Sequence, residues 1–413
     1  MARILKDRKF YTGAGILALL VALGSGQVWL QSAVAQGKQA PRFEVDPLWP
    51  KPNPNNGLLG QTIGVWVDER DHVWIVHRGN DAGNLDNTEL MTPPNATATQ
   101  LRGCCTAAPP VIEYDADGNY VQGWGGPAKN GEYQWPTSNH SVIVDNKGFV
   151  WIGGNGGGDS QILKFTRDGK FVAQYGKADA RKDPASPEKM PTYKANSTDP
   201  ESFGRVAKIW IDARANEAYV ADGYLNHRVA VLDMDTGKMK RMWGAYGKPP
   251  TDADLGPYDP AQPIAQQFRN PVHCANMAND GLVYVCDRVN DRIQIFKGDG
   301  SFVKEVIVEK QTRADGSTWD IAFSSDTGQR FLYLADGNNA KIHVFDRASM
   351  EELYNFGGGG RQPGLWLGVH SIATDSKGNI YTTETYTGKR VQKFVNKGVG
   401  PVPASGKPAW PAG

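Results

Sequence analysis

The chain has no second long apolar run after its N-terminus, no block of basic residues and no excess of one charge. It also has few cysteines and few histidines. Formal charge is +1, from 45 Lys and Arg against 44 Asp and Glu, so the sequence offers nucleic acid no basic face. Beyond the first forty residues no apolar stretch approaches the roughly 20 residues that a bilayer-spanning helix needs. Long amphipathic windows of helical period are missing as well, which argues against an all-helical fold.

What is present starts with a leader. "MARILKDRKF" is basic, "GILALLVALG" is apolar and "SAVAQ" offers an A-x-A cleavage site after Ala35. That pattern predicts a secretory signal peptide over 1–35 and a mature domain over 36–413, secreted or periplasmic. An uncleaved N-terminal anchor is the alternative. No cysteine follows the apolar core, so a lipid anchor has no attachment point. Glycine is abundant (48) and aromatics make up 10% of the chain, a mix that suits many short strands joined by tight turns.

Internal repetition dominates the mature sequence. Each unit has an apolar run ending in Asp or a small residue, a Gly or Asn turn and a second apolar run. A polar D-x-x-N-x-R stretch follows, and then two more strand-like segments. Copies stand at 142–176, 209–244, 283–306, 332–357 and 372–394. A further copy is split between "VWVDERDHVWIVHRG" (65–79) and "VIEYDADGNYVQGWGG" (111–126), with an insertion that carries Cys104 and Cys105. Six units of four short strands predict an all-β, six-bladed β-propeller. The last unit is one strand short, and "PRFEVDPLW" (41–49) can supply it and close the ring. A β-helix is the alternative, but its repeats are shorter.

Alignment of the units on Asp68, Asp145, Asp212, Ala278, Ser324 and Asp375 places Ile63, His140, Ala207, His273, Trp319 and His370 at one level. The first strand of each blade lines the central channel, so the histidines of blades two, four and six stand about 120° apart around one axis. Seven histidines in 413 residues make three at one matched position a poor fit to chance. Three imidazoles converging on a point suit a divalent metal and leave a fourth coordination position open. Zinc is the expected ion, although other divalent metals also accept three imidazoles. His72, His77, His227 and His343 have no such partners and read as ordinary structural residues.

Four cysteines in an exported chain allow two disulfides. In "HCANMANDGLVYVCD" a three-residue hairpin loop, Asn279-Asp280-Gly281, would place Cys274 opposite Cys286, within bonding reach. That leaves Cys104 and Cys105, either as a vicinal disulfide or as two free thiols.

"VHRGN" (76–80), "ADGYLNHR" (221–228), "VCDRVNDRIQIFK" (285–297) and the three His-led strands together resemble the peptidyl-α-hydroxyglycine α-amidating lyases, a family of the NHL-repeat class. The resemblance runs over nearly the whole mature chain. It implies zinc on His140, His273 and His370, Tyr224 as catalytic base, and Arg78 and Arg288 as arginines that meet the substrate. The chemistry suits these roles, because an arginine fork grips a carboxylate and nearby cations favour a phenolate. A plainer reading makes Tyr224 a turn residue and pairs each arginine with a neighbouring acid, Asp81 or Asp287. The family usually has an Asp directly after the third histidine, which helps to hold a structural calcium; here that position is Ser371, which puts calcium in question.

The expected function is therefore an exported zinc-dependent lyase. It would be a monomer acting on a small-molecule or peptide-like substrate, with no nucleic acid and no stable membrane insertion, cleaving an N-(α-hydroxyalkyl) amide to an amide and an aldehyde. The alternatives are a non-catalytic NHL-repeat binding module and a metal-dependent propeller hydrolase of lactones or esters.

Overall fold

The computed structural model describes residues 37–79, 84–85, 89–90 and 105–411. It contains six four-stranded sheets and almost no helix, and among the described residues no helix is long and apolar enough to cross a membrane. Each blade begins with an inner strand, and these are Gln61–Val67, Asn139–Val144, Val206–Asp212, Val272–Met277, Asp320–Phe323 and Val369–Thr374. Each inner strand touches the inner strand of the next blade, and the sixth touches the first, so the ring is closed. In the sixth sheet the strand order is Gln39–Asp46, Val391–Pro401, Ile380–Glu384, Val369–Thr374, so the N-terminal segment supplies the missing outer strand. The expected propeller and its mode of closure are what the chain adopts.

Two compact units are distinguished. The larger comprises Phe43–Lys397 with Ala404–Gly413 and holds the blades. The smaller includes the described residues 37–42 with Gly398–Pro403, where the Val402 N–H donates to the Lys38 carbonyl at 3.2 Å. The leader expected over 1–35 and Cys104 lie outside the described residues, whereas Cys105 is described and is disulfide-bonded, so the free-thiol alternative does not hold for it.

The Asp that ends an inner strand shapes the turn behind it. Asp145 Oδ1 accepts the backbone N–H groups of Lys147 and Phe149, each at 2.9 Å, and its Oδ2 accepts the indole N–H of Trp151 at 2.8 Å. Asp68 does the same for Arg70, His72 and Trp74, and Asp375 for Lys377, Asn379 and the Tyr381 hydroxyl. One carboxylate thus caps a turn and fixes a large ring in the interface between blades, where Trp74 and Trp151 are fully buried. In blade four the hairpin over Asn279–Gly281 has the expected register. Ala278 N–H donates to Leu282 O at 2.9 Å, Gly281 takes φ +83°, and Cys274 is bonded to Cys286 with 4.8 Å between their Cα atoms.

Five of the six inner strands share an irregularity that matters for the channel. Pairing with the second strand slips between Thr62 and Gly64, Asn139 and Ser141, Val206 and Lys208, Val272 and Cys274, and Val369 and Ile372. The residues passed over are Ile63, His140, Ala207, His273 and the His370–Ser371 pair. A β-bulge takes its extra residue out of the ladder and re-aims its side chain and peptide. In each case the re-aimed residue is a member of the aligned ring.

Candidate metal centre

The bulges bring the three histidines together. Ring centroids are 5.2 Å apart for His140 and His273, 4.7 Å for His140 and His370, and 4.9 Å for His273 and His370. One ring nitrogen of each lies within 4.8 Å of the others, and all three residues are buried. His140 Nδ1 is 2.7 Å from the Ala207 carbonyl, His273 Nδ1 2.5 Å from that of Trp319, and His370 Nδ1 2.8 Å from that of Ile63. A carbonyl can only accept, so each Nδ1 carries the proton and each Nε2 keeps its lone pair. The acceptors are the aligned residues of the following blades: three, five and one. Histidine blades and carbonyl blades alternate; the carbonyls of Ile63 and Ala207 are freed by leaving the sheet ladder at a bulge, and Trp319 stands just before its strand begins.

Electrostatics keeps the imidazoles neutral. Burial pushes all three well below the ordinary histidine value. Neighbouring charge adds to this: Arg78 acts on His140 and His370, and Arg288 acts on all three. Tyr224 Oη lies 2.9 Å from Nε2 of His140 and 2.9 Å from Nε2 of His273. One phenol proton cannot satisfy both lone pairs. Three neutral, inward-facing donors with a backbone-fixed tautomer fit a divalent metal such as zinc.

Both predicted arginines flank this cluster. Arg288 Nη1 donates to Tyr224 Oη at 3.1 Å, and its guanidinium stacks 4.4 Å from the Trp319 ring. Arg78 donates to Gln61 Oε1 (2.9 Å), Asn155 Oδ1 (2.8 Å) and the Asn139 carbonyl (3.3 Å). Burial raises the pKa of the Tyr224 phenol, and the charges of Arg288 and Arg78 work against that rise. The plainer pairing of Arg288 with Asp287 is not made. Asp287 instead accepts from Arg292 Nε at 3.0 Å and Nη2 at 2.6 Å, its directly opposed neighbour across the strands. Asp81, the plainer partner for Arg78, lies outside the described residues.

Further groups at the channel carry no obvious sequence signal. Lys208 forms an ion pair with Asp320, whose Oδ2 also accepts the Ser371 hydroxyl (2.6 Å) and the Ile372 N–H (3.1 Å). These residues follow Ala207, Trp319 and His370 in sequence, so the pair closes one side of the histidine cluster. Along the same strands Trp66 packs edge-on against Trp210 at 5.2 Å, and Trp210 against Phe323 at 6.4 Å. Tyr224 and Arg288 instead line an open cleft of about 1010 Å³, walled by Tyr193, Tyr258, Arg269 and Asp315. Tyr224 thus lines this cleft and touches two histidines of the cluster.

No protein-family profile matches the chain. Among solved structures the chain is similar to a streptogramin B lyase, with 12% identity, TM-score 0.49, and 86% of this chain and 98% of that one covered. It is also similar to virginiamycin B lyase from Staphylococcus aureus (13%, TM-score 0.46, 87% and 99% covered). A Bacteroides thetaiotaomicron structural-genomics protein of unknown function is comparable (11%, TM-score 0.48, 88% and 77%). These likenesses carry no activity across to this chain.

Proposed function

We propose that the chain is an exported, zinc-dependent lyase that cleaves an N-(α-hydroxyalkyl) amide into an amide and a glyoxylate-type aldehyde. The observation that carries this reading is the position of Tyr224 Oη, beside two histidine nitrogens and within hydrogen-bond reach of Arg288. The likeness of the chain's motifs to amidating lyases supports the same choice. The Cys274–Cys286 disulfide suits an oxidising compartment outside the cytosol.

His140, His273 and His370 would hold the zinc, which when bound supplies Lewis-acid polarisation of a hydroxyl and lowers its pKa. The remaining work falls to side chains. Tyr224 Oη, as the phenolate that the charges of Arg288 and Arg78 would favour, accepts the proton of the substrate hydroxyl and returns it to the leaving nitrogen. The O–H electron pair becomes the second bond of a carbonyl as the C–N bond breaks. The C–N pair leaves on the amide nitrogen, which takes up a proton, and nothing is oxidised or reduced. Arg288 stabilises the negative charge on either tyrosine or substrate. Arg78 and Arg288 together favour a substrate carboxylate at the mouth of the channel.

The test is aldehyde release from N-acetyl-α-hydroxyglycine by zinc-loaded protein. Tyr224→Phe keeps the ring and removes only the hydroxyl, so kcat should fall by about 10²–10⁴ with zinc content unchanged. His273→Ala should lower zinc content and activity together. A wild type that binds zinc but releases no aldehyde from any such compound defeats the lyase reading.

A further inference from the structure

Arg288 differs from the other buried arginines of the polar stretches. Arg228 is fully buried, and its guanidinium donates to Asp222 (2.8 Å) and to the carbonyls of Ser197 (3.0 Å), Asp199 (2.6 Å) and Ser202 (3.0 Å). Arg292 is held as fully, by Asp287 and the carbonyls of Ala265 and Gln267. Each is an integral part of its blade. Arg288 sits in a short 3-10 turn, Arg288–Asn290, outside any strand. It is only 6% exposed, yet its Nε has no hydrogen-bond partner among the described residues. Its orientation therefore rests on the Trp319 ring, the Tyr224 hydroxyl and one carboxylate, Asp315, whose Oδ1 accepts from Nη2 at 3.2 Å.

That carboxylate is itself tied down. Tyr386 Oη donates to Asp315 Oδ2 at 2.7 Å. Tyr386 follows the second strand of blade six and takes φ +50°, a left-handed conformation that a residue with a side chain adopts when its surroundings fix it. Asp315 stands in the loop that leads into blade five. The two residues join loops of adjacent blades over the mouth of the channel and end on the arginine.

We infer that Asp315, anchored by Tyr386, is a positioning residue that aims the Arg288 guanidinium at the substrate carboxylate. This rests on the proposed lyase reading. The Asp315 side chain is 42% exposed, so solvent screens its charge, and its main contribution is to the direction of the fork. The Trp319 ring backs the guanidinium, and Asp315 holds one of its two outer nitrogens. The arrangement holds a planar, two-pronged donor in register before an anion arrives.

The experiment compares wild type, Tyr386→Phe, Asp315→Asn and Asp315→Ala, all zinc-loaded, on N-acetyl-α-hydroxyglycine and on its uncharged methyl ester. Binding of N-acetylglycine, which lacks the reactive hydroxyl, is measured by calorimetry as a readout independent of turnover. Tyr386→Phe and Asp315→Ala should raise KM for the acid about three- to thirtyfold, weaken N-acetylglycine equally and leave KM for the ester within about twofold, while any fall in kcat, through the Arg288 contact with Tyr224, should be alike for acid and ester. Asp315→Asn keeps an oxygen for Arg288 and should fall between wild type and Asp315→Ala. Unchanged KM and binding in both disruptive variants overturns the inference. So does an equal rise for acid and ester, which marks a general loop defect, or tighter acid binding, which marks Asp315 as a competing anion. Wild type that binds N-acetylglycine without any turnover overturns the lyase reaction alone and leaves the binding comparison to decide the role of Asp315. Wild type that does neither overturns both.

Discussion

His343 shows what a histidine does here when it is not in the channel. It lies fully buried on the third strand of blade five, Lys341–Asp346, with Nε2 3.3 Å from Asp336 and Nδ1 3.1 Å from Glu352. Burial disfavours its charge, but the two carboxylates outweigh burial and raise its pKa to about 9; Lys341 also faces Glu352. A raised folded-state pKa gives stability that is complete below the unfolded value of about 6.5 and is lost as pH climbs through 9. His343→Gln should therefore lose on the order of 3 kcal/mol at pH 6 and much less at pH 9.5, as read from urea midpoints. Equal losses at both pH values would show that His343 is neutral in the fold. The same scale shows what a sequence reveals of a site. His140, His273 and His370 are rare residues in a repeating frame, so their alignment could be read directly. Their acceptors could not, because the carbonyls of Ile63, Ala207 and Trp319 have no side-chain signature. Asp315 and Tyr386 were hidden for another reason, as they sit in loops outside the repeat. Sequence proximity also misled, since it suggested Asp287 for Arg288 when strand pairing gives Asp287 to Arg292.

In blades three, four and six the second and third strands carry a clamp. An acid at the end of the second strand meets an arginine near the start of the third, and the arginine forks onto carbonyls of the incoming loop. Asp222 with Arg228, Asp287 with Arg292 and Glu384 with Arg390 are three copies, the last gripping the carbonyls of Arg361 (2.5 Å) and Leu365 (2.6 Å). The D-x-x-N-x-R pattern was visible in the sequence, but its target was not, since the loops it holds differ in length and share no motif. Arg228→Met should cost about 3–5 kcal/mol, because Asp222 stays buried with only the Asn226 amide and the Gly204 N–H to oppose its charge. The exposed Arg214→Met should fall within about 0.5 kcal/mol of wild type. Similar urea midpoints for the two variants would show that the clamp contributes nothing. The bulges belong to this scale too. A strand with unbroken alternation would keep the carbonyls of Ile63 and Ala207 in the ladder and leave the histidine tautomers unset.

The ring depends on its closure. The N-terminal strand pairs with Val391–Pro401, and Phe43 stacks on Phe356 at 5.7 Å and meets Tyr333 edge-on at 5.4 Å. Deletion of residues 37–46 would expose the edge of Val391–Pro401 to other chains and remove an aromatic from the blade interface. The shortened protein should elute as aggregate in size-exclusion chromatography and melt at a lower temperature. A monodisperse species with an unchanged melting temperature would contradict the role of this strand. That closure was legible because the sixth repeat visibly lacked a strand and the N-terminus visibly offered one.

The hydrogen bonds of the histidine cluster set a rule of parity. Blades two, four and six each give an N–H, and blades three, five and one each receive it, so every blade has one of two roles and no neighbours share a role. A closed cycle can alternate two roles only if its length is even. A five- or seven-bladed version of this chain would place two givers or two receivers side by side. One histidine would then face a blade with no freed carbonyl, and its ring nitrogens would exchange places with ease. Loss or gain of a single blade is thus incompatible with this centre, whereas addition or removal of a blade pair keeps every partner. The pair is thus the smallest unit whose gain or loss preserves the alternation, and only the six-bladed ring brings three histidines to one point.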